Sequence, residues 1–107
     1  MANKKAPVKR YPALPLIVEG PAGPCTVRLS KESIRYEGGE CGGLWDPEER
    51  TIDIDARASR RAQWSYLFHE WGHVVLTDSG LSNALPDDAQ EAICDAVSAA
   101  RMRERFG

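Results

Sequence analysis

The sequence predicts a small α+β domain, and three features carry that expectation. Short runs of alternating apolar and polar residues recur up to residue 55. Two stretches with apolar residues at three- and four-residue spacing follow, at about 59–77 and 87–105. The length, 107 residues, suits one domain with one modest core. The expected layout is a flexible basic tail at 1–13, then a single domain at 14–107. Its β region, 14–55, is expected to form a short antiparallel sheet.

In the tail, Lys4, Lys5, Lys9 and Arg10 sit among prolines with no apolar period. In the β region, Leu16-Ile17-Val18 is a short apolar run, broken by Gly20-Pro21-Ala22-Gly23-Pro24. Thr26-Val27-Arg28-Leu29 and Ile34-Arg35-Tyr36-Glu37 alternate, and Gly38-Gly39 and Gly42-Gly43 mark turns or bulges. Asp46-Pro47-Glu48-Glu49 has turn chemistry, so 43–55 reads as a hairpin. Within it, Ile52 and Ile54 should face the core and the aspartates beside them water.

The first helix should start at Ser59, whose hydroxyl can accept from a free amide of the first turn. Trp64, Leu67, Phe68, Trp71 and Val75 form its apolar stripe, and Asp78-Ser79-Gly80 should end it. The second helix should open at Pro86-Asp87, with Asp87 and Gln90 spaced as a capping box. Ala89, Ile93, Ala96, Val97 and Ala100 offer a small-residue stripe for packing on the first helix. Arg101, Arg103 and Arg105 suit its C-terminal dipole.

Composition narrows the function. A formal net charge of -2 gives no reason to expect a nucleic-acid partner. No apolar run approaches the roughly 20 residues of a membrane span, and no signal-peptide core follows the basic N-terminus. A cytoplasmic location is therefore expected. Cys25, Cys41 and Cys94 have no C-x-x-C spacing and read as reduced thiols, with Cys94 packed in a helix.

The chemistry lies in His69-Glu70-Trp71-Gly72-His73, an H-E-x-x-H motif within the first helical stretch. Residues four apart share a helix face, so the only two histidines of the chain can grip one ion. A catalytic zinc takes a third protein ligand and keeps a position open for water. Glu91, early in the second helix, is the best candidate. Asp95 lies one turn further on, suited to orienting a ligand histidine. Asp87 and Asp88 are rivals near the expected cap, and Asp78 is too close to His73 to fold back. Glu70 would be the general base that activates the metal-bound water, whose pKa the ion lowers from about 16 towards 7. Thr51–Asp55 or 42–44 would offer an edge to which a peptide substrate adds as a strand. A His₂Glu site suits zinc and several other divalent ions. For Gly72, poor in a helix, a close approach by another backbone or by substrate would give a reason, and chance tolerance of the glycine is the equal alternative.

His69-Glu70-Trp71-Gly72-His73-Val74-Val75-Leu76, followed by Glu91-Ala92-Ile93-Cys94-Asp95-Ala96, resembles the ImmA/IrrE-like metallopeptidases. These are gluzincin-type proteins of bacteria, phages and mobile elements, and the likeness spans about residues 40–100. It implies a zincin-like domain with one Zn²⁺ per chain held by His69, His73 and Glu91, and with Asp95 supporting the ligands. It also implies limited proteolysis of a repressor-type transcription factor. Two departures stand out. Val97-Ser98 occupies the place of a common Phe-Ala pair, and the chain ends soon afterwards, as expected of a minimal catalytic unit whose sensing comes from a partner. No oxyanion-stabilising residue stands out among Tyr36, Tyr66 and the nearby arginines. The alternative expectation is a non-catalytic zinc-containing module that regulates a protein partner by contact.

Overall fold

The structure, a computed structural model, describes residues 11–107. Six strands precede two helices: β1 (Ile17–Gly20), β2 (Gly23–Ser30), β3 (Ile34–Tyr36), β4 (Gly39–Cys41), β5 (Gly43–Asp46), β6 (Thr51–Asp55), α1 (Arg60–Asp78) and α2 (Asp87–Phe106). A single 3₁₀ turn, Leu81–Asn83, joins the helices.

The main sheet has the order β1-β2-β6-β5 and is mixed, where an antiparallel sheet was expected. β1 and β2 form an antiparallel hairpin, as do β5 and β6, but β6 lies parallel to β2. The reason is topological. The chain leaves β2, makes the separate β3–β4 hairpin and lays down β5. It then turns at Asp46, whose Oδ1 accepts from the amides of Glu48 and Glu49 at 3.0 and 3.3 Å, so β6 slots between β5 and β2. β6 is thus a central strand. Its Ile52 and Ile54 are fully buried, and burying each contributes about 1.5–3 kcal/mol. On the opposite face Asp53 receives Arg28 at 2.8 Å, as alternation required.

α1 covers one face of the sheet, with Trp64, Leu67, Phe68 and Val74 buried against Cys25, Val27, Trp45, Ile52 and Ile54. Ser59 caps it as expected, accepting from the Ala62 amide at 3.1 Å. Its far end is tied by Asp78, whose side chain is 3% exposed and pairs bidentately with Arg50. Asp78 also accepts from the Ala22 amide.

α2 differs from expectation on two points. Pro86, not Asp87, occupies the cap position, and the Gln90 amide donates to the carbonyls of Ser82 and Leu85 instead of closing a capping box. Its buried face is Gln90, Cys94 and Ser98, whereas Ile93, Ala96 and Ala100 are exposed. Polar residues can face inward here because each finds a partner: Ser98 donates to the Ser65 carbonyl at 2.8 Å.

Residues 1–10 of the expected tail, including Lys4, Lys5, Lys9 and Arg10, lie outside the described residues. Its last residues are packed. The Tyr11 ring meets Phe106 edge-on at 4.8 Å, and the Pro12 carbonyl accepts from Trp64 Nε1 at 2.7 Å. Among the described residues no helix is long and apolar enough to cross a membrane.

Candidate metal centre

α1 forms the floor of a cleft of about 1270 Å³, walled by β5 and the β3–β4 hairpin on one side and α2 on the other. His69 and His73, one turn apart, point into it with 5.1 Å between ring centroids. Both are mostly buried, which limits competition from water for their ring nitrogens.

Glu91 and Asp95 approach from α2. One Glu91 oxygen, Oε2, lies 2.8 Å from His69 Nε2 and 3.3 Å from His73 Nε2. Asp95 Oδ1 lies 2.9 Å from the other ring nitrogen of His69, Nδ1. An acceptor there holds the proton on Nδ1 and leaves Nε2 free as a ligand. Two imidazoles and one carboxylate converging on a point form a donor set suited to a divalent ion such as zinc.

The helices can approach this closely because of Gly72. A Cβ there would lie 2.9 Å from Cys94 Sγ and 3.2 Å from Cys94 Cα. Of the readings open for this glycine, close approach by another helix is the one the structure supports. Cys94, which sequence reasoning set aside as packing, is brought near the histidines. Its Sγ and one ring nitrogen of each all lie within 4.8 Å of one another. Its thiol is fully buried and pushed up to about 12, by burial first and then by the charges of Glu91, Glu70 and Asp95. Glu91, one of whose oxygens already touches Nε2 of both histidines, is the better placed third donor. The signal was in the spacing: Cys94 lies three residues after Glu91, on the same helix face.

Glu70 points from α1 toward β5 and is buried. Burial raises its carboxyl pKa, while the charges of His73 and His69 and an amide hydrogen bond from Trp45 oppose the rise. Gly43 makes room for it, since a Cβ there would sit 3.0 Å from Glu70 Cγ.

Only one of the two expected substrate edges exists. β6 is paired on both sides, whereas β5 is an edge strand. The Asp55 amide bonds the Gly42 carbonyl at 2.9 Å, so in this antiparallel ladder Gly43 and Trp45 turn their backbone groups away from β6, toward the cleft. Tyr36 and Tyr66 also line the cleft. Asp87 reaches its rim without approaching the histidines as Glu91 does, and Asp78 is committed to Arg50. No family model, no curated protein and no solved structure matches the chain, so the case for its chemistry rests on these residues.

Proposed function

We propose that the protein is a zinc-dependent endopeptidase with a zincin-like site, allied to the ImmA/IrrE-like metallopeptidases, that cuts a regulatory protein of the repressor type. One observation carries the reading. A single Glu91 oxygen lies on Nε2 of both histidines, beside a buried glutamate that opens onto the same cleft.

His69, His73 and Glu91 would hold the ion, and Asp95 would fix the orientation of His69. When bound there, a divalent ion would supply an acidified water and would polarise the carbonyl of the scissile bond. Glu70, buried beside the histidines and facing the same cleft, would take the water's proton on its carboxylate and deliver it to the departing amide nitrogen. The edge of β5 aligns an extended peptide through backbone hydrogen bonds, so the cut strand is held without regard to most of its side chains.

The test joins metal content and cleavage. Purified protein should carry about one zinc per chain, and Glu91→Ala should lose it. Glu70→Gln should keep the zinc and lose at least about a hundredfold in cleavage of an unfolded protein substrate. A metal-free wild type after zinc is supplied, or full cleavage by Glu70→Gln, overturns the reading.

Cys94 favours a second reading, the non-catalytic zinc module. If its sulfur joined His69, His73 and Glu91, the site would be four-coordinate and closed. A hydroxamate needs an open position on the metal. Binding of a hydroxamate, with zinc retained in Cys94→Ala, supports the enzyme; no binding, with zinc lost in Cys94→Ala, supports the closed module.

A further inference from the structure

The charged side chains at the two ends of the cleft are sorted by sign. α1 and α2 are antiparallel, bringing Arg61 near the start of α1 and Arg103 in the last turn of α2 to line one end. Met102 and Phe106, partly buried and packed against the core, add apolar lining at the same end. Glu37, after β3, and Asp87, the first residue of α2, line the other end. The Tyr36 hydroxyl at this end feels both carboxylates, its pKa raised first by the charge of Glu37 and, least, by that of Asp87. All four charged residues are exposed. Among the described residues none of them makes an ion pair. The other acidic residues of the lining, Glu70, Glu91 and Asp95, lie at the centre with the histidines.

Helix geometry turns this into a spacing. At about 1.5 Å per residue, Asp87 precedes the Glu91–Asp95 centre by roughly 6–12 Å, and Arg103 follows it by roughly 12–18 Å. An extended peptide covers about 3.3 Å per residue.

We propose that the cleft selects its peptide by charge on both sides of the cut. Its ligand is an extended segment with a basic residue about two to four positions from the scissile bond on one side. On the other side it carries an apolar residue to lie against Met102 and Phe106 and an acidic residue about four or five positions away. The position of the cut rests on the peptidase reading above; the order of charges does not. Arg61 and Arg103 suit a carboxylate because guanidinium forks bind it bidentately. Being exposed, they bias the choice modestly and through screened fields.

The experiment measures binding instead of turnover. Zinc-supplied Glu70→Gln protein is titrated with two labelled peptides of identical composition, about twelve residues long to span the cleft. One carries lysines before an apolar centre and glutamates after it; the other carries the reverse order. One order should bind roughly five- to tenfold more tightly at low salt, and the gap should close near roughly 0.5 M salt. Combining Arg61→Glu and Arg103→Glu with Glu37→Lys and Asp87→Lys should invert the preference, with circular dichroism to verify the fold. Equal binding of the two orders, binding of neither, or a preference that survives the reversal overturns the proposal. Cleavage of the same peptides by wild type separates the two readings. Charge-ordered binding without cleavage supports the charge selection and counts against the peptidase. Cleavage indifferent to charge order supports the peptidase and overturns the selection.

Discussion

Gly72→Ala is the substitution whose outcome the helix interface dictates most directly. The added methyl would meet Cys94 Sγ at 2.9 Å, Cα at 3.2 Å and Cβ at 3.3 Å. Ordinary carbon contacts begin near 3.5 Å, so α2 must retreat by about 0.5 Å. Alanine improves intrinsic helix stability by about 1 kcal/mol, and overpacking costs about 1–3 kcal/mol, so a net loss of about 1 kcal/mol is expected. For a chain of this length that lowers Tm by about 4–8 °C. The retreat also carries Glu91 and Asp95 away from the histidines, and zinc affinity should fall roughly tenfold, as when support for a ligand is lost. Thermal melts with and without a chelator, and zinc competition against a coloured chelator, measure the two effects. Cys94→Ala added to Gly72→Ala removes the nearest of the three contacts and should recover part of both. If Gly72→Ala instead raises Tm and holds zinc as tightly as wild type, the interface is not the constraint and the argument fails.

Asp78→Ala should destabilise the protein by about 2 kcal/mol near neutral pH, since a buried carboxylate loses charge-assisted hydrogen bonds. The pairing with Arg50 holds the folded pKa of Asp78 below the usual carboxylate range. Its contribution is therefore complete above roughly pH 4, the ordinary unfolded value, and is lost as pH falls through the depressed folded value. Urea melts should show the gap between variant and wild type closing below roughly pH 4; a gap that persists there contradicts the assignment. Asp95→Ala should leave about one zinc bound at saturation but weaken it roughly 10- to 100-fold, because His69 Nδ1 loses its acceptor. Unchanged zinc competition would show that Asp95 does not orient the histidine.

What the sequence revealed is what a local period controls. A helical repeat is enough to put His69 and His73 on one face, and a strand repeat is enough to turn Ile52 and Ile54 inward. Ser59 capping α1 and the turn at Asp46 are likewise matters of a few neighbouring atoms. The approach of Glu91 and Asp95 was legible as a candidate only, since it needed two helices side by side. The misjudged features are those set by distant partners. Gln90 and Ser98 face inward because the carbonyls of Ser82, Leu85 and Ser65 await them.

By itself, then, the sequence determined the α+β class, the two helices and the pair of histidines on one helical face, because these follow from backbone periods of 2 and 3.6 residues. Only the tertiary structure decided that β6 runs parallel to β2, that Cys94 lies beside the histidines, and that one oxygen of Glu91 reaches both rings. Those depend on how closely α1 and α2 pack and on where the chain re-enters the sheet, distances that no periodicity along the chain encodes.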